Sequence, residues 1–268
     1  MLIRKPHVAG SFYPADAGEL RQFCSGLEQF PEQDVVNARA VILPHAGYIY
    51  SSRTAIKVLQ KVQVPQTVFM IGPDHRQQGG DFSAFADGQW NTPLGEVPVD
   101  KHLGQAVLKQ VPLIRDDPQA HTFEHSLEVI VPLLQCRNPE IQMLPLLVGT
   151  LDTSKAQEAA EGLADVLAGR EDIMLVISTD MSHYEEDQAT RKKDRFALEA
   201  IENLDAQALL AAVKAFRITM CGFIPVYMLL LMAERLGIRK ATLADYRTSA
   251  DASGDRERVV GYAGFYFE

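Results

Sequence analysis

Four short stretches rich in apolar and β-branched residues limit what this chain can fold into. They span residues 39–43, 67–71, 141–148 and 173–177. Each is too short for a stable helix. Each is bounded by turn-forming residues, the pattern of strands buried on both faces of a parallel sheet. The segments between them carry helical periodicity, so strands and helices alternate and the fold class is α/β. Residues 81–99 suggest a short antiparallel hairpin, and residues 241–247 and 258–267 read as late strands. The expected architecture is a single-domain α/β sandwich over residues 1–268, with a mixed, mostly buried central sheet.

The helix starts are marked by capping side chains. Asp16 opens a helix to about Leu27, Asp100 one to about Gln110, and Asp152 or Thr153 one to about Ala168. Ser51 or Ser52 starts a helix to about Val62, between the first two strands. Those two strands then form a βαβ unit with neighbouring ends. Residues 124–136 read as a helix that Pro132 bends, and residues 187–202 and 205–215 as amphipathic helices. A further helix begins near Cys221, and residues 248–255 read as a polar, mobile loop.

Three of the strands lead into a histidine. Residues 40–43 run into Pro44-His45, residues 68–71 into Gly72-Pro73-Asp74-His75, and residues 174–177 into Ser178-Thr179-Asp180-Met181-Ser182-His183. Ligands of open α/β sheets bind at the carboxyl ends of strands. Imidazole is the commonest protein ligand for transition metals. One turn histidine alone is as readily a local hydrogen-bonding residue as a ligand, but two after neighbouring strands point to a shared one. Cys221 precedes an apolar helix, where the dipole favours thiolate, a metal ligand. Taken alone, it reads more simply as a small buried hydrophobe. His183 is a candidate base, and Asp180 beside it a carboxylate to fix its tautomer or raise its pKa. Tyr48 is a candidate pocket residue. His121-Thr122-Phe123-Glu124-His125 matches H-x-x-E-H, which on a helix would place two imidazoles one turn apart on zinc. Asp116-Asp117-Pro118 upstream keeps His121 in a loop, which leaves Glu124, His125 and Glu128 to support a neighbouring site.

Charge and cysteine usage remove other classes. A net charge of −9 without a long basic block argues against nucleic acid or anionic membrane as the main partner. The longest apolar stretch, Phe223 to Ala233, is too short to span a bilayer. Three separated cysteines argue against a disulfide framework and for a reducing compartment, with Cys24 and Cys136 assigned to packing. The start of the chain lacks the apolar core of a signal peptide, so a cytoplasmic location is expected.

Read in order, Val8-Ala9-Gly10-Ser11-Phe12-Tyr13-Pro14, Pro44-His45-Ala46-Gly47-Tyr48, Gly72-Pro73-Asp74-His75, Glu124-His125-Ser126-Leu127-Glu128, Ser178 to His183, Met220-Cys221-Gly222 and Val259-Val260-Gly261-Tyr262-Ala263 resemble the Memo family over nearly the whole chain. Its prokaryotic members are called AmmeMemoRadiSam system protein B. The resemblance implies a fold like that of the class III extradiol dioxygenases. It places His45, His75 and Cys221 at the metal, Asp180 and His183 on the pocket wall, and Glu124 and His125 close by. The dioxygenases hold iron with two histidines and a carboxylate. Cys221 in the third place is softer, so copper and zinc compete with iron as the expected divalent or redox metal. His121 lies outside the family motif.

Three functions are compatible with these residues. The first is a metal-dependent oxidoreductase acting on a small phenolic or hydroxylated substrate, with His183 as base. The second is a peptide- or protein-binding effector using the same pocket, with Arg53 and Arg76 available to an anion. The third is a zinc hydrolase built on His121 and His125. The family's prokaryotic name also implies association with an AMMECR-type protein and a radical SAM enzyme.

Overall fold

The computed structural model describes residues 2–25 and 35–268. In chain order its elements are β1 (Ile3–Arg4), α1 (Ala17–Cys24), β2 (Ala40–Leu43), α2 (Tyr48–Leu59), β3 (Thr67–Pro73), β4 (Phe82–Ala84), β5 (Gln89–Thr92), β6 (Gly95–Pro98), α3 (Lys101–Gln110), β7 (Arg115–Asp116), α4 (Val131–Arg137), β8 (Gln142–Val148), α5 (Thr153–Leu167), β9 (Ile173–Ser178), β10 (His183–Glu185), α6 (Asp187–Glu202), α7 (Ala206–Phe216), α8 (Phe223–Met232), β11 (Ala241–Thr248), α9 (Ala250–Ser253) and β12 (Val259–Phe267).

The four apolar stretches form the parallel heart of the sheet. Among the described residues nine strands pair, in the order β10-β12-β2-β9-β3-β8-β4-β7 with β11 also on β12. Strands β2, β3 and β9 are buried at every position, as their unbroken apolar runs require. Strand β12 runs antiparallel to β2, and β4 antiparallel to β8, so the sheet is mixed. The α/β class therefore holds.

Strand β9 lies between β2 and β3, with Val41 opposite Val176 and Leu175 opposite Phe69. The first two strands are thus not neighbours, contrary to the expected βαβ unit. The crossover through α2 leaves a slot that β9 fills much later in the chain. The consequence for the site is direct, because the exit of β9 falls between the exits carrying His45 and His75.

Local signals explain most helix boundaries. Asp16, Asp100 and Asp152 each accept a bond from a first-turn N–H of α1, α3 and α5, worth about 1 kcal/mol apiece. The end expected near Leu27 lies outside the described residues. Helix α2 starts at Tyr48 rather than Ser51, because Ser51 and Ser52 donate backwards to Ala46 O and Tyr48 O instead of capping. The hairpin is β5–β6, and it joins β1 in a separate three-stranded sheet, while β4 leaves for the large sheet. The expected mobile loop at 248–255 is ordered into α9, with Asp251 accepting from Thr248 N.

Two further expectations fail. Residues 124–130 form turns, and only Val131–Arg137 is helical. The Glu124 carboxylate accepts the next two backbone N–H groups, His125 and Ser126, as well as His75 N, and Glu128 accepts Val8 N. Pro132 sits in the first helical turn, where its missing N–H costs nothing, and does not bend the helix. Cys24 and Cys136 form a disulfide between α1 and α4, with Cα atoms 5.9 Å apart. The odd cysteine count conceals a pair 112 residues apart, and Cys221 alone remains free. Thiol titration of the denatured, unreduced chain should give one thiol, and the reduced chain all three. No helix among the described residues is long and apolar enough to cross a membrane.

Candidate metal centre

Each donor at the rim of the sheet has its ring or sulfur oriented by a partner. His45 follows β2 and is buried. Its Nδ1 lies 2.6 Å from Ser178 Oγ. That hydroxyl donates its only hydrogen to Ser126 O, so it accepts from Nδ1–H. His75 follows β3, and its Nδ1–H donates to Glu124 Oε1 at 2.9 Å. In both rings Nε2 is left with its lone pair, the state a metal ligand needs.

His45 Nε2 lies 3.4 Å from Cys221 Sγ. Two such ligands on one tetrahedral ion stand about 3.6 Å apart. The donor atoms of His45, His75 and Cys221 all fall within 4.8 Å of one another. Two imidazole nitrogens and a sulfur suit zinc, copper or iron and disfavour magnesium or calcium. A second cluster, His75, Glu124 and His125, shares His75 with the first. There Glu124 is already committed. Its carboxylate accepts from the backbone N–H groups of His75, His125 and Ser126 as well as from the His75 ring.

Burial and neighbours set the charges. Burial pushes the Glu124 carboxyl up, but the His75 bond and the surrounding donors outweigh it and hold the group at about 2. Burial lowers His45 well below its ordinary value and lowers His125 to about 4, so both rings are neutral. Burial and then the Asp180 carboxylate push the Cys221 thiol up. The expected lowering at a helix start is overridden, since α8 begins two residues later with Gly222 as its cap. The sulfur accepts from Asp180 N at 3.1 Å, and a bound cation would supply what thiolate lacks here.

Asp180 is buried, and its Oδ1 accepts from His45 N at 2.9 Å rather than from His183. Burial pushes its carboxyl up. His183 is oriented by Thr219 instead. Its backbone N donates to Thr219 Oγ1, and its Nδ1–H to Thr219 O at 2.9 Å, which leaves Nε2 as an acceptor. A cavity of about 620 Å³ opens over these groups, lined by His45, His75, His125, Asp180, His183 and Cys221 and walled by aromatic rings. Tyr48 is not among its lining residues. Tyr48 is buried beneath the 124–130 turns, and its hydroxyl donates to Val129 O.

His121 is also placed elsewhere. It is fully buried, its Nε2–H donates to Ser83 O, and it packs edge-on to Phe85 and Trp90. The residues from His121 to His125 are not helical, so the two-imidazole geometry of a zinc hydrolase is absent among them. Ser178, Ser126 and Thr219 are functional partners that the sequence does not mark. Small hydroxyl residues beside strand ends carry no distinguishing signal until their partners are known.

The neutral buried rings make acid destabilising. Burial lowers His121 to about 3 and His125 to about 4, so the unfolded chain takes up protons that the fold refuses. Their stability contribution is present above the ordinary histidine value of 6.5 and is lost as pH falls below it toward the folded values. Glu124, depressed from 4.5 to about 2, adds a loss of the same sign at lower pH. Denaturant melts of the metal-free protein at neutral pH and at successively lower pH should show this fall, and a flat profile would contradict it.

The fold and these side chains define a class: a mixed α/β protein with imidazole and sulfur donors at the rim of its parallel strands. Residues 4–266 match the family described as Memo-like protein. The chain is 38% identical to a MEMO1 family protein of Aquifex aeolicus, over the full length of both. It is 35% identical to a MEMO1 family protein of Methanopyrus kandleri, over 98% of each. The crystal structure of an uncharacterized Escherichia coli K12 protein superposes with a TM-score of 0.55 at 16% identity, covering 85% of this chain and 99% of that one, which supports the fold. The chain belongs to the Memo family.

Proposed function

We propose that this protein is a metalloprotein of the oxidoreductase kind, with His45, His75 and Cys221 holding the metal and a small hydroxylated or phenolic molecule as substrate. One observation carries the reading. Both imidazoles have Nδ1 tied to a partner, His45 Nε2 lies 3.4 Å from Cys221 Sγ, and the His75 ring brings a third donor atom within 4.8 Å of both. Iron stands first, with copper and zinc as rivals because of the sulfur. When bound, such a metal polarises a chelating hydroxyl and, if redox-active, connects it to an oxidant such as dioxygen.

The chain's own residues supply the rest. His183 Nε2 accepts the hydroxyl proton, while Thr219 O holds Nδ1–H and fixes the ring. Asp180 grips the His45 backbone and so keeps the first ligand in place. The rings of Phe12, Tyr50 and Tyr262 line the cavity and reduce water at the reacting group.

Metal content after anaerobic purification tests the reading. Stoichiometric metal is expected in the wild type. Removing a ligand in His45→Ala or Cys221→Ala should weaken binding by more than the roughly 10–100-fold of an outer-shell change. Equal occupancy in all three proteins would end the proposal.

A further inference from the structure

The metal-site reading leaves the mouth of the cavity unexplained, and any role for the mouth in ligand choice rests on that reading. A volume of about 620 Å³ is in the range that holds drug-sized ligands. One hydroxylated ring at the floor leaves much of it unfilled. The substrate therefore has room for a substituent directed toward the mouth.

The charges at the mouth specify that substituent. Arg76 follows His75 and lines the cavity. Its Nε–H donates to Phe123 O at 3.2 Å, and its backbone N to Asp74 Oδ1. Among the described residues, no carboxylate lies within the 4.0 Å ion-pair distance of its guanidinium. By contrast Arg4, Arg170, Arg191 and Arg247 are each held by a carboxylate, in a chain of net charge −9. The only carboxylate lining the cavity among the described residues is Asp180, which is buried and turned toward the His45 backbone.

An exposed aromatic ring also lines the cavity. Tyr184 is exposed and held at a φ of 62°, a conformation that residues other than glycine rarely adopt. The Arg258 guanidinium sits 5.6 Å from its ring centre. Arg258 does not itself line the cavity, and among the described residues Arg76 is the single guanidinium that does. Phosphate groups are usually read by clusters of arginines. One planar fork matches one carboxylate, which it can bind through two parallel bonds.

We propose that the ligand of this cavity carries a carboxylate that pairs with Arg76 while its hydroxylated ring lies at the floor. The pair sits at an open rim, so its effect is moderate. It is large enough to discriminate between ligands that differ only in that charge.

The test compares 3,4-dihydroxybenzoate with its neutral isostere 3,4-dihydroxybenzamide, by calorimetry on zinc-loaded protein of measured metal content. Zinc is redox-silent, so binding is read without turnover. The wild type should bind the benzoate about tenfold more tightly. In Arg76→Gln the ratio should collapse toward one, and Arg76→Lys should restore part of it by keeping the charge without the fork. Equal affinities in the wild type, or a preference that survives Arg76→Gln, would overturn the inference and leave the metal site standing. Failure of both ligands to bind metal-loaded protein would overturn the inference together with the reading beneath it.

Discussion

Glu128→Ala should destabilise the fold by about 3–5 kcal/mol, because it leaves a buried guanidinium without its counter-charge. Arg4 and Glu128 are both almost fully buried, with Nη2 and Oε2 2.7 Å apart. The same carboxylate accepts from the backbone N–H groups of His7 and Val8 and from the Tyr13 hydroxyl. Arg4 also donates to His121 O and Glu124 O, and its guanidinium lies 4.2 Å from the centre of the Trp90 ring. One carboxylate thus fastens the start of the chain to the turns that carry Glu124 and His125. Equilibrium denaturation of the metal-free variant measures the loss. A change below about 1 kcal/mol, the level of an exposed pair, would show that this clamp is not a major support.

Gly222→Ala should weaken metal binding by at least roughly 10–100-fold, the scale seen when a supporting residue is lost. A Cβ at this position would lie 2.3 Å from Ser178 O and 2.5 Å from Thr179 Cβ. Both belong to the exit of β9, and a carbonyl oxygen of a central strand cannot swing aside. Gly222 N also donates to Thr179 Oγ1 at 2.9 Å. Relief requires a shift of the chain at Cys221-Gly222 just ahead of α8, which displaces Cys221 Sγ relative to His45 Nε2. Overpacking of this kind also costs about 1–3 kcal/mol of stability. Gly80→Ala is the control, since a Cβ there meets nothing within 4 Å. Metal titrations in which both variants match the wild type would show that the tight approach at Gly222 does not position the sulfur.

Much of this layout is legible from residues alone. The apolar runs of β2, β3, β8 and β9 fall where strands form, because side chains buried on both faces leave no alternation to blur the signal. Asp16, Asp100 and Asp152 mark helix starts because a short carboxylate satisfies an orphan amide locally. What escapes is non-local. No property of residues 173–178 says that they insert between β2 and β3. Cys24 and Cys136 carry no sign of each other across 112 residues. The 124–130 turns have helical periodicity, yet Glu124 and Glu128 are drawn inward by backbone donors from distant segments. The donor residues themselves are readable as types at strand ends. The hydroxyl group of Ser178 that orients His45, and the hydroxyl and carbonyl of Thr219 that orient His183, become meaningful only in three dimensions.

The sulfur and the imidazole it meets are 176 positions apart along the polypeptide. During synthesis, a ribosome that has released both early histidines still holds back the late strand that separates them and the cysteine that completes the set. An unfinished chain therefore offers passing ions two loosely tethered rings rather than a finished cage. On the proposed centre, loading with metal would be an event of the completed molecule, because an abandoned fragment lacks the sulfur that lies against the first imidazole.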